Sequence, residues 1–248
     1  MTTNTFPSSP APATSASAQT QAPRPASRRV TDAATRMLHW LMALSFTGAY
    51  LTADGERWRL VHVTLGYTLG ALVVCRLLWG LFGPRQVRLS MLLRKLQGLP
   101  AWLKSLSTLQ PVWRQGQNLV MALAIALILG LVLPLTLSGY AVWDEWGGEW
   151  LEDVHEFFGN AMLTVVLAHI GLIAFLSLLR RNNQALPMLT GRVAGPGPDL
   201  AKRNHGILAV ALLAGVLAFW TWQWSEAPQN QAGFVSSQAD NQRDNDDD

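Results

Sequence analysis

The chain has 248 residues, a formal net charge of +3, only 14% charged against 50% hydrophobic residues, and one cysteine. That lone thiol, Cys75, excludes a disulfide, a thiolate-held iron–sulfur cluster and covalent haem attachment through CxxCH. Long uncharged stretches place the chain in a membrane, with lipid around it and no nucleic-acid partner expected.

In chain order, residues 1–28 are rich in Ala, Ser, Thr and Pro, with no apolar run that could be a signal-peptide core. They are expected to be a disordered tail without a cleaved leader. No charge lies between Arg36 and Asp54, and a first helix is expected near residues 36–53. A second, near 60–82, is interrupted only by Arg76. The segment LSMLLRKLQGLPAWLKSL alternates basic and apolar residues around Pro100, which suggests a broken amphipathic helix along the inner leaflet. Three further uncharged stretches predict helices near 118–140, 155–179 and 206–224. Each stretch is close to the roughly 20 apolar residues that a span needs. The fold class is therefore all-α: an integral membrane helical bundle with a four-helix core in residues 29–195 and a fifth transmembrane helix in 196–225. Residues 226–248, ending in DNDDD, read as a disordered acidic tail.

Most of the 19 basic residues lie in the amino-terminal tail, between Arg76 and Arg114, or between Arg180 and Arg203. The positive-inside bias puts these regions in the cytoplasm, so the amino terminus is expected inside and the carboxyl terminus outside. Trp58, Trp143, Trp146, Trp150, Trp220, Trp222 and Trp224 then fall at the outer interfacial belt.

Intramembrane ionisable residues mark functional sites. His155 and His169 lie fourteen residues apart on one helix, within roughly 40° of one face and about 21 Å along the axis. The topology puts His62 at the outer level with His155, and His39 at the inner level with His169. Any one of them alone could simply bond a neighbouring helix. Four at two matched depths form the pattern of two stacked metal cofactors, for which two b-type haems are the best candidates. Iron held by two imidazoles keeps no open position, which suits electron transfer. His205 has no partner at its level and reads as a solvated interfacial residue.

Arg76 follows His62 by fourteen residues, so it should share that face at the depth of His169. With no carboxylate expected nearby, it calls for an anion such as a haem propionate, and Arg36 could supply a second contact. Gly66 and Gly159 each follow an outer-level histidine by one turn, where a missing side chain leaves room for a macrocycle or for close helix packing.

RMLHW, VHVTLGY with CRLLWG, and VHEFFGN with AHIGLIAFLSLLRRNNQALPMLTGRV resemble the prokaryotic cytochrome b561 family, including cytochrome b subunits of nickel-iron hydrogenases, over roughly residues 30–195. The resemblance implies a bacterial inner-membrane protein that holds b haem through His39, His62, His155 and His169 and exchanges electrons with the quinone pool. Where that family often reads Gly-His-Asn-Pro, this chain has Gly116, Gln117, Asn118 and Leu119, and four-helix members lack the fifth helix. Asp144, Glu145, Glu149, Glu152, Asp153 and Glu156 form an acidic stretch without Lys or Arg, which could steer a basic partner such as a periplasmic c-type cytochrome. The readings left open are an electron-transfer subunit between quinone and a redox partner, a stand-alone oxidoreductase acting on a small molecule such as superoxide at the outer haem, and a histidine-based proton or metal transporter.

Overall fold

A computed structural model describes residues 26–107 and 112–246, with side chains described as far as Glu226 except those of Glu56 and Gln86. The expected disordered amino-terminal tail lies outside the described residues up to residue 25. Beyond that point it is ordered: Ser27–Arg29 (β1) pairs antiparallel with a later strand, and Val30 N–H donates to the Gly191 carbonyl at 2.9 Å. Two three-residue strands are too short to leave an alternation in the sequence, so composition alone does not separate residues 27 and 28 from the tail.

Helix α1 spans Ala33–Leu51; its N-cap Asp32 accepts the Thr35 N–H through Oδ1 at 2.8 Å, satisfying one of the four donors that a helix start leaves free. A 3₁₀ turn at Glu56–Trp58 leads into α2, Arg59–Phe82, and a second at Arg85–Val87 leads out of it. The expected amphipathic segment forms two short helices, α3 (Leu89–Leu96) and α4 (Leu99–Ser107). The break falls at Gln97 and Gly98, one residue before the second helix starts, because Pro100 is tolerated in a first turn, where its missing N–H has no partner to lose. Then come α5 (Trp113–Trp143), α6 (Trp150–Leu179), α7 (Leu186–Leu189), β2 (Arg192–Ala194) and α8 (Gly206–Asp246).

Among the described residues, four helices are long and apolar enough to cross a membrane: Arg59–Phe82, Trp113–Trp143, Trp150–Leu179 and Gly206–Glu226. Helix α1 forms where a span is expected, but Arg36 and His39 in its first turns keep it below that level of apolarity. It is packed against α2 and α8, with Leu38, Leu41 and Phe46 buried, and a helix shielded by its neighbours need not be apolar on every face. Helices α5 and α6 outrun the uncharged stretches that predict them. Glu152 and Asp153 in the first turn of α6 sit at the positive end of its dipole, where carboxylates are favoured, so a charge does not mark the helix boundary there. The backbone of α8 likewise continues past its apolar span to Asp246, where a disordered acidic tail is expected. A helix already started adds one hydrogen bond per residue fixed, so composition does not locate its end.

α5 and α6 pack as one antiparallel pair, α1 and α2 as another, with α2 joining the two and α8 on the outer side of α1 and α2. The Ala33 N–H bond to the Asn204 carbonyl at 2.8 Å ties the start of α1 to the start of α8. The main core is Phe46, Leu69, Val73, Val132, Leu135 and Met162. A smaller one, Leu38, Leu41, Leu72 and Val216, holds α8 in place.

Candidate cofactor site

The bundle has two ends. At the far end, α1 finishes, α2 begins, α5 finishes and α6 begins, and there the structure brings His62 and His155 together with ring centroids 6.1 Å apart and planes 87° to one another. In the last turn of α1 the Ala49 carbonyl, which also accepts from Thr52 N–H at 3.2 Å and Thr52 Oγ1 at 3.1 Å, lies 2.8 Å from His62 Nδ1. On α6, His155 Nδ1 lies 3.1 Å from the Leu135 carbonyl and 3.2 Å from Ser138 Oγ. A carbonyl only accepts, so each Nδ1 carries the proton and each Nε2 is left with a free lone pair. This is how ligating imidazoles are oriented and fixed in one tautomer. The 6.1 Å between ring centroids brings the two imidazoles close enough to face one bound group.

At the basic end the pair is held differently. His39 and His169 lie within electrostatic reach of each other, and the Nδ1 of each is buried without a hydrogen-bond partner. The His39 ring meets Trp40 edge-on at 5.2 Å, and Trp40 Nε1 donates to the Met188 carbonyl at 2.9 Å. Between the two levels lies an apolar layer. Phe46, Leu69 and Met162, all in the main core, each stand seven residues from a histidine on their own helix.

Arg76 reaches toward the basic end, where its Nη2 donates to the Val87 carbonyl at 3.4 Å while Nη1 is buried without a partner. Arg76 is not, as expected, a cation without a carboxylate near it. Fully buried Asp32 lies within electrostatic reach of Arg76, with Oδ1 committed to the α1 cap and Oδ2 unpartnered. That approach comes from the fold, which sets the N-cap of α1 beside the third quarter of α2. Arg36 donates from Nη1 to the Leu189 carbonyl at 2.8 Å, and its Nε is likewise buried and unpartnered. Two guanidiniums with one unused buried donor each therefore flank this end, a setting suited to an anion.

A Cβ built on Gly66 would meet nothing within 4 Å, and one on Gly159 only Leu135 Cδ1 at 3.9 Å. Space for a flat group exists at the first, and ordinary packing at the second. A third glycine escapes the sequence reading: a Cβ on Gly139 would lie 2.7 Å from His155 Cε1, so its absence lets that imidazole rest against α5. His205 also differs from expectation. Half-buried, it sets its ring edge-on to Trp79 at 5.1 Å and leaves Nδ1 buried and unpartnered. Gln117, standing where a histidine could be expected, accepts from Arg180 Nε at 3.1 Å and Nη2 at 2.6 Å and so fastens α5 to α6.

Among the described residues, no group of three or more His, Cys, Asp or Glu could hold a metal ion. The histidines pair instead, and two protein ligands suit a metal whose remaining positions are filled by a macrocycle. At the far end Glu145, Glu149 and Glu152 line a hollow of about 380 Å³. The acidic stretch there has a cation close by that the loop sequence hides: the Arg59 guanidinium lies 5.4 Å from the Trp143 ring centroid. A family model described as prokaryotic cytochrome b561 matches residues 30–191, from just before α1 through α7. Comparisons with curated proteins and with solved structures gave no match.

Proposed function

The chain belongs to the prokaryotic cytochrome b561 family, and we propose that, as a membrane b-type cytochrome of electron transfer, it carries electrons through two bis-histidine haems between the quinone pool and a redox partner. The observation that supports this reading best is the His62–His155 pair, 6.1 Å apart, with each Nδ1 hydrogen-bonded and each Nε2 free. His39 and His169, with buried unpartnered Nδ1 atoms, are assigned the inner haem.

When bound, haem would supply a one-electron change at its iron, and His39, His62, His155 and His169 are the residues that would hold it. The chain's own residues do the rest. Ala49, Leu135 and Ser138 fix the two outer imidazoles. Gly66 keeps space open on the His62 face, and Gly139 lets the His155 ring sit against α5. Arg36 and Arg76 present free donors for the propionates of the inner haem. Phe46, Leu69 and Met162 exclude water between the levels, which keeps the local dielectric low and the electron's path short of solvent. In the membrane we assign the basic end to the cytoplasm and the far end to the periplasm, where the carboxylates around Glu145 and Glu149 face a basic partner such as a c-type cytochrome.

The test uses single variants. His155→Ala should remove one haem's spectrum and leave the other, and His169→Ala should remove the other. Retention of both sets of bands in either variant would place the ligands elsewhere.

A further inference from the structure

The span of α8 lies beyond the family match, and where it packs on α2 the two helices leave a groove of about 400 Å³ lined by Tyr67, Ala71, Phe219, Trp222 and Gln223. Its depth follows from one hydrogen bond. Trp220 Nε1 donates to Thr68 Oγ1 at 2.8 Å, which sets residue 220 level with residue 68. At 1.5 Å per residue that level lies roughly 14 Å inside the start of α2 and about 9 Å from the level of His62. Ala71 and Trp222 are exposed on the flank of the bundle, so the groove opens sideways into the hydrocarbon.

Two polar tips stand in this apolar setting. Tyr67 meets the Tyr140 ring at 6.3 Å, but among the described residues neither its hydroxyl nor the Gln223 carboxamide has a hydrogen-bond partner. Polar groups in hydrocarbon are costly unless bonded. An acyl chain filling the groove would leave both unsatisfied, and a hydrophilic solute has no route through the lipid. A flat ring with carbonyl oxygens on an apolar tail satisfies every feature: faces for Phe219 and Trp222, one oxygen for the Tyr67 O–H, and one for the Gln223 N–H. We propose that this groove binds a lipid-dissolved quinone at the depth next to the His62 level. The proposal rests on the reading of the chain as a quinone-linked cytochrome and locates the site on a helix outside the matched family region.

The experiment uses the full chain with its haem in lipid nanodiscs, with a decyl-tailed benzoquinone as ligand and its azido derivative as photolabel. Label should appear on peptides carrying Tyr67 to Ala71 and Phe219 to Gln223. The double variant Tyr67→Phe with Gln223→Leu should bind the decyl benzoquinone about tenfold more weakly, and Ala71→Leu, which fills the groove without touching either tip, should abolish the labelling. The haem spectrum, unchanged in all variants, reports that the bundle is folded. Label on other peptides with unchanged affinity in every variant would overturn the groove assignment and leave electron transfer to quinone standing; so would absence of label because acyl chains occupy the groove. A parent protein that holds b haem yet neither binds the quinone nor has its haem oxidised by it would overturn the quinone-linked reading itself.

Discussion

Gly139 offers the sharpest local test of the outer site, because the perturbation is one methyl group at a known place. In Gly139→Ala the new Cβ stands 2.7 Å from His155 Cε1, 3.1 Å from Nδ1 and 3.5 Å from Nε2. Ordinary carbon contacts begin near 3.5 Å, so the ring must retreat by the better part of an ångström. It cannot do so and keep the 3.1 Å bond from Nδ1 to the Leu135 carbonyl. Overpacking of this kind costs about 1–3 kcal/mol, and here the loss falls on the ligand's orientation, so outer-haem affinity should drop about 5- to 150-fold. The assay is a haem titration of apoprotein in detergent, with the bands of the outer haem followed separately. Gly171→Ala is the control, since a Cβ there meets nothing within 4 Å, and it should bind haem as the parent does. Parental affinity and spectrum in Gly139→Ala would refute the claim that His155 is held against α5 as a ligand.

The Arg76→Leu variant removes a cation whose Nη1 has no protein partner. A unit charge at about 8 Å and an effective dielectric near 20 contributes about 2 kcal/mol, so a redox titration should find the inner haem's potential lower by on the order of 50–100 mV, and two unchanged potentials would count against the contact. Neutralising Asp144, Glu145 and Glu149 together should slow association with a basic c-type cytochrome at low salt. Stopped-flow rates should show the difference fading as the Debye length shortens from about 30 Å at 0.01 M to about 8 Å at physiological salt, and equal rates at low salt would mean that the patch does not steer.

What could be read from the sequence follows the physics of each feature. Uncharged runs revealed the helices because a bilayer excludes charge, and the fourteen-residue interval between His155 and His169 revealed two levels because helical rise is constant. The acceptors of the outer pair are main-chain carbonyls, Ala49 and Leu135, and every residue has one, so no letter of the sequence marks them. Gly139 could have been suspected from its place one turn after Leu135, but only α5–α6 packing shows which ring it clears. Asp32 looks like a plain helix cap until the fold brings Arg76 near it. Arg59 beside Trp143 was hidden because the two lie on different helices, far apart in sequence and close in space.

The central claim is that four histidines hold two haems, and the haem-to-protein ratio tests it most directly. A pyridine haemochrome assay on fully loaded protein, set against protein determined by amino-acid analysis, should give about two haems per chain. A ratio near one would contradict the two-site account, whichever pair of histidines held the single haem.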